Sequence, residues 1–143
     1  MTSNDEFVKA TGKIGLDGAL GTVIETVTID GLVATLEIGP KHHQPFGIVH
    51  GGVYCAVAES AASMSGYHWL QETGIGGTAV GVNNNTDFLR SISAGTITAR
   101  TSPIHRGRRQ QLWAVEMFDD ADRLVARSQV RLQNIELPDG ERQ

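Results

Sequence analysis

With a single cysteine, Cys55, the chain has no means of forming an internal disulfide framework. Aromatic residues are scarce, at 6%, and the formal net charge is −4. Nucleic-acid binding calls for a broad basic face with stacking aromatics, so no nucleic-acid partner is expected. No basic N-terminal region leads into an apolar run, so no secretory signal is expected. No segment is apolar enough for a membrane span either, and a cytoplasmic protein without a membrane partner is expected. The G-x-S-x-G nucleophile elbow and the phosphate-binding Walker loop are both missing. Gly74, Gly76 and Ala79 imitate a dinucleotide fingerprint, but they follow a helix and precede a strand, the reverse of what that motif needs. His42, His43 and His50 lack zinc-site spacing and no CxxC accompanies them, so no metal is expected.

What is present is a core. A hydrophobic content of 40% over 143 residues suits one globular domain, residues 1–143, with about twenty N-terminal residues and the C-terminal tail peripheral. The organising stretch is His50 to Gln71, HGGVYCAVAESAASMSGYHWLQ. It has no proline, and from Gly51 to Gln71 its only formally charged side chain is Glu59. A helix that is apolar or small all round is buried, and twenty residues of it span roughly 30 Å. On a helical wheel Gly52, Cys55, Ala56, Glu59, Ala62, Ser63 and Gly66 share one side, and Val53, Val57, Ala61 and Met64 the other. A lone carboxylate among small residues leaves room for another molecule, and burying it without compensation costs several kcal/mol. The plainer alternative is a Glu paired with an Arg elsewhere. Cys55, inside the apolar helix, reads as a small buried residue. The glycines at the helix start let a ligand approach the first backbone N–H groups, which have no internal partner and carry the positive end of the helix dipole. An oxyanion site at Gly51 and a carboxylate two turns later suggest acyl transfer.

Around this helix, Thr22–Asp30 and Leu32–Gly39 read as strands joined by a tight turn at Asp30-Gly31. A short helix is expected around Asp5 to Ala10. Pro40–Val49 reads as a loop and Glu72–Gly77 as a glycine-rich turn. Ala79–Leu89 reads as a strand whose three asparagines fit a site-facing or bulged segment, or equally a solvated edge. Thr96–His105, interrupted near Pro103, then Gln111–Phe118 and Leu124–Glu136 complete the strands, and Leu137–Gln143 reads as a mobile tail. Two strands, a helix and four strands define an α+β fold with a mostly antiparallel sheet. Its uncovered edges point to dimerisation. The turn His105–Arg109 is basic in an acidic protein. It is either solvated or a phosphate contact, for which Arg is suited by its forked donors.

The segments HHQPFGIVHGGVYCAVAESAAS, GVNNNTDFLRS and PIHRGRRQQLWAVEMFDDADRLVA resemble the hotdog-fold acyl-CoA thioesterases. The branch is that of the Arthrobacter-type 4-hydroxybenzoyl-CoA thioesterase and the menaquinone- and enterobactin-pathway thioesterases. The resemblance spans roughly residues 20 to 135 and rests on Gln, HGG and E-S-x-x-S at matching spacings. It implies one long central helix wrapped by a curved sheet, at least a homodimer and further a homotetramer, with active sites at the dimer interface. It also implies that Glu59 is the nucleophile or the base for water, that the Gly51 N–H is the oxyanion donor, and that Gln44 polarises the thioester carbonyl. His50 would support carbonyl binding, and Ser63 would position water or the acid. Contacts to CoA would come from Gly81, from Phe88, Leu89, Arg90 and Ser91, and from His105, Arg106, Gly107, Arg108, Arg109 and Gln110. The implied activity is hydrolysis of an acyl- or aroyl-CoA to free acid and CoA. No cofactor is expected, because CoA is part of the substrate. Alternatives on the same fold are an enoyl-CoA hydratase, whose Asp and His pair is not found here, and a CoA-thioester-binding regulator.

Overall fold

The computed structural model describes residues 2–138. Most of the expected C-terminal tail therefore lies outside the described residues. The chain order is α1 (Ser3–Thr11), α2 (Gly15–Leu20), β1 (Val23–Thr28), β2 (Gly31–Glu37), a 3-10 turn at Pro40–His42, α3 (Gly51–Glu72), β3 (Thr78–Phe88), β4 (Thr96–Arg106), β5 (Gln110–Phe118) and β6 (Leu124–Ile135). The six strands form one antiparallel sheet in the order β1-β2-β4-β5-β6-β3. All six pack against α3, which requires the sheet to curl round the helix. Among the described residues no helix is long and apolar enough to cross a membrane.

The alternation of the strands puts Leu36, Ile97, Trp113, Val115, Met117, Val130 and Leu132 into the core against Val57, Ala58, Ala62 and Leu70 of α3. Each large side chain removed from water here contributes about 1.5–3 kcal/mol. Trp113 donates its Nε1–H to Gln111 Oε1 at 2.7 Å, so the polar edge of the core's largest ring is satisfied.

Several expectations are refined. The N-terminal residues form two helices rather than one. Thr2 and Asp5 close a capping box on α1, Val8 is fully buried, and Asp5 Oδ1 lies 2.7 Å from His68 Nε2 on α3. The β1–β2 turn is Ile29–Asp30, with Gly31 already in β2. β4 is not interrupted at Pro103. It runs on to Arg106 through a register shift between Pro103 and His105. The wheel's faces also need correction. Ala62 and Gly66 are buried against the sheet, and a Cβ at Gly66 would collide with Leu132. A sheet that wraps a helix covers more than one stripe. Cys55, Ala56, Glu59, Ser60 and Ser63 stay half-exposed, and so does Met64 from the other side of the wheel, so Cys55 is not buried in the single chain.

Candidate active site

Helix α3 begins at His50, whose Nδ1 accepts the Gly52 N–H at 2.8 Å. An imidazole nitrogen that accepts cannot carry the proton in the neutral ring, so the proton sits on Nε2, leaving it as a donor. The Gly51 N–H has no partner among the described residues. The Phe88 ring packs over Gly51, where a Cβ would stand 2.8 Å from Phe88 Cζ. Gln44, Ile48, Val49, Gly51, Tyr54 and Phe88–Ser91 line a cleft of about 250 Å³ at this helix start. Gln44 Oε1 accepts the Phe46 N–H, which turns the Gln44 NH2 group outward as the available donor. Two neutral donors, Gln44 and His50, thus stand beside an unpartnered backbone N–H.

Two turns further on, Glu59 is half-buried. Its partner is not an Arg. Asn84 Nδ2 donates to Glu59 Oε2 at 3.1 Å, and Glu59 Oε1 lies so close over Gly81 that a Cβ there would collide with it. Ser63 follows one turn later and its hydroxyl makes no hydrogen bond among the described residues, so it is free to hold a water beside the carboxylate.

Asn84 was not singled out from sequence as a site residue. It reaches Glu59 because β3 carries a bulge: Gly81 pairs with Leu132 and Asn83 with Arg131, which leaves Val82 as the extra residue. Before the bulge Ala79 and Gly81 face α3. After it Asn84, Thr86 and Phe88 do, opposite the inward Val130, Ser128 and Ala126. β3 is also an edge strand, so the three alternatives left open for the asparagine run hold at once.

The other expected CoA segment lies elsewhere. Arg106, Gly107, Arg108 and Arg109 line a wide groove of about 1820 Å³ with Trp69, Gln71, Gly77 and Gln133 to Pro138, beside the far end of α3. His105 and Gln110 flank them on β4 and β5. The rise from Gly51 to Trp69 is about 27 Å. One chain therefore does not bring Phe88–Ser91 and His105–Gln110 together. Arg106 is occupied: it donates to the Ile29 carbonyl at 2.8 Å and to Asp30 Oδ1 at 3.0 Å, and its guanidinium lies 5.7 Å from the centroid of Trp69 and 5.8 Å from that of Trp113. Arg90, Arg108 and Arg109 are exposed, and their side chains make no hydrogen bond or ion pair among the described residues.

The loop histidines are used by the backbone. His42 accepts the Gly39 N–H and donates to the Leu20 carbonyl, and His43 Nε2 meets the Ser93 carbonyl. Two further titratable groups border the site. The Tyr54 hydroxyl is buried without a partner among the described residues, and burial, then the Asp119 carboxylate, pushes it above the usual phenol range. Burial raises Asp17 on α2 above the usual carboxylate range.

A long helix held in a curled antiparallel sheet, with a carboxylate on its exposed stripe and open donors at its start, defines the hotdog class of thioester hydrolases. The profile of the thioesterase superfamily matches residues 46–126. A Mycobacterium tuberculosis protein named as an esterase is 54% identical in its solved structure, with 87% of this chain and 98% of that one covered and a TM-score of 0.83. A thioesterase structure from Haemophilus influenzae is 32% identical over 99% of this chain and 96% of that one, with a TM-score of 0.88. The 1,4-dihydroxy-2-naphthoyl-CoA hydrolase of Escherichia coli is 33% identical over 87% of this chain and 90% of its own length. The chain belongs to the thioesterase superfamily and has its hotdog fold. Its activity is that of a thioester hydrolase.

Proposed function

We propose that the protein hydrolyses an acyl- or aroyl-CoA to the free acid and CoA, with Glu59 as nucleophile or as general base for water. The observation that carries this reading is the pairing of a half-buried, hydrogen-bonded Glu59 with an unpartnered Gly51 N–H on one helix. The Gly51 N–H, at the positive end of the helix dipole, receives the carbonyl oxygen as it becomes an oxyanion. The Gln44 NH2 and His50 Nε2–H polarise the same carbonyl, and Ser63 positions the water or the carboxylate. The similarity to a naphthoyl-CoA hydrolase supports a CoA thioester with an acyl group large enough to need a pocket.

The working form in this reading is at least a homodimer, and a homotetramer in the full assembly. Gly51 and Glu59 are eight residues, about 12 Å, apart along the axis. That separation favours a carbonyl held between the Gly51 of one protomer and the Glu59 of its partner, or a water standing between carboxylate and carbonyl. The two CoA segments lie at opposite ends of α3, so a single CoA reaches both only across two chains. The edge strand β3 presents Val80 and Val82, 42% and 53% exposed, beside the site. Arg90, Arg108 and Arg109 are the cations left for the CoA phosphates, since Arg106 is held by the β1–β2 turn.

The test is a panel of acyl- and aroyl-CoAs assayed with a thiol-reactive dye, on wild type and Glu59→Gln. Free CoA should appear with at least one substrate, and Glu59→Gln should lower kcat by about a thousandfold or more, as loss of a reacting group does. Release at the wild-type rate by Glu59→Gln would overturn the role of Glu59. Tight binding of CoA thioesters with no thiol release would favour a regulator.

A further inference from the structure

We propose that Asn84 is a positioning residue that fixes the Glu59 carboxylate through a one-way relay of hydrogen bonds reaching back to Ser128. This rests on the reading of Glu59 as the reacting carboxylate.

The relay has four members on three elements. Asn84 Nδ2 lies 3.1 Å from Glu59 Oε2 and 3.1 Å from the Cys55 carbonyl. Both are acceptors, so this end of the side chain must be its NH2 group. At the other end, Asn84 Oδ1 lies 2.7 Å from Thr86 Oγ1. An amide oxygen only accepts, so the single Thr86 hydroxyl hydrogen points to Asn84. Thr86 Oγ1 also lies 2.7 Å from Ser128 Oγ. With the Thr86 hydrogen already used, Ser128 is the donor there. Ser128 is buried, and its hydroxyl has no competing water-exposed surface. Every hydrogen therefore points the same way, from Ser128 to Thr86 to Asn84 to Glu59.

Such a chain polarises its last donor and removes the freedom of the amide to flip. The bond to the Cys55 carbonyl ties Asn84 to α3 one turn before Glu59, so the carboxylate and its donor are held to the same stretch of helix. Gly81 completes the arrangement from β3. Its missing side chain admits Oε1, and the bulge at Val82 then turns Asn84 back towards the same carboxylate. Oε2 is thus occupied by a fixed donor, while Oε1 carries no hydrogen bond among the described residues. The geometry assigns Oε2 as the anchored oxygen of the pair.

The experiment measures kcat, KM and melting temperature for Asn84→Ala and Asn84→Asp, each in wild type and with Glu59→Gln, on the acyl-CoA that wild type cleaves fastest. Asn84→Ala should lower kcat by about 10- to 100-fold, the range for a displaced reacting group, with KM within about threefold. Asn84→Asp, which keeps the shape but sets a second carboxylate against Glu59, should lose at least as much. With Glu59→Gln present, adding Asn84→Ala should change the residual rate by less than about twofold, because the residue acts only through Glu59. Should Asn84→Ala fail to fold, Thr86→Val reads the same relay, since it leaves Asn84 Oδ1 without its donor. It should lower kcat by about threefold or more. The proposal is overturned if Asn84→Ala folds and keeps wild-type kcat, if its loss is the same multiple with and without Glu59→Gln, or if Thr86→Val, standing in for it, keeps wild-type kcat. If Glu59→Gln is itself fully active, the reading of Glu59 falls and Asn84 falls with it. If Glu59→Gln is inactive while Asn84→Ala is unimpaired, only the relay is wrong.

Discussion

Gly81→Ala adds one methyl group at the most sensitive contact of the site. A Cβ built there falls on Glu59 Oε1, with Cδ at 2.8 Å and Oε2 at 3.3 Å, so the whole carboxylate must swing away. In doing so it gives up the bond from Asn84, 3.1 Å long in the native arrangement. A hydrogen bond to a charged group contributes about 1.5–3 kcal/mol. At about 1.4 kcal/mol per tenfold, kcat should fall about 10- to 100-fold. The fold itself should tolerate the change. Gly81 is a strand residue outside the left-handed region, and alanine restricts the unfolded chain more than glycine, which favours the native state by about 0.5–1 kcal/mol. The melting temperature should therefore stay level or rise while turnover drops. The assay is release of free CoA at saturating substrate, with a thermal melt on the same preparation. Wild-type kcat in Gly81→Ala would refute the reasoning. So would a raised KM with kcat intact, since the position would then serve the CoA contact alone.

Arg106 and Arg108 should separate cleanly. Arg106→Ala removes two hydrogen bonds to the β1–β2 turn and should cost about 1–2 kcal/mol of stability by denaturant titration, with KM for the CoA thioester little changed. Arg108→Ala should leave stability alone and raise KM with kcat intact, an effect that shrinks as salt rises; equal effects from the two would contradict this division. The Asp5 carboxyl is held down from 3.8 to about 2, chiefly by the Thr2 N–H and then by His68. A depressed folded pKa gives stability that is present above the unfolded value and lost as pH falls through about 2. The stability gap between wild type and Asp5→Asn should therefore narrow between about pH 4 and pH 2, and a gap constant across that range would dismiss the clamp. Light scattering at micromolar protein should show a dimer or larger, and a fully active monomer would remove the shared-site geometry.

The parts of this fold that were legible in the sequence are those governed by local periodicity. The proline-free, almost uncharged run after His50 is α3 to within a residue, and the later strands fall where β-branched and apolar residues alternate. Glu59 stood out because it is the only charge in that run. Asn84 did not. Counting alternate residues from Ala79 sends Asn83, Asn85 and Asp87 inward, and nothing in the local sequence announces that Val82 is an extra residue. The tie between Arg106 and the β1–β2 turn was hidden for the opposite reason. The neighbours of Arg106 in sequence are other cations, while its partners, Ile29 and Asp30, lie over seventy residues earlier. The wheel erred at Ala62 and Gly66 because it assumes one wet side, whereas this helix is enclosed by six strands. The two N-terminal helices bury little apart from Val8, too weak a pattern to set their bounds.

The extra residue in β3 also has a meaning at the level of the gene. Between Asn83 and Phe88 the strand carries two interleaved sets of side chains. Asn84, Thr86 and Phe88 line the helix, while Asn83, Asn85 and Asp87 face away. Loss of the single codon for Val82 would leave both sets in place, because joining Gly81 to Asn83 makes the ladder to β6 regular and Gly81, Asn84, Thr86 and Phe88 still alternate inward. Loss of the codon for Asn85, beyond the bulge, would instead turn Thr86 and Phe88 outward and bring Asp87 into the wall beside Glu59. A deletion of three nucleotides is thus nearly silent for the pocket at the bulge and disruptive three codons later, and lineages that gain or lose the Val82 codon would be expected to keep the same wall beside Glu59.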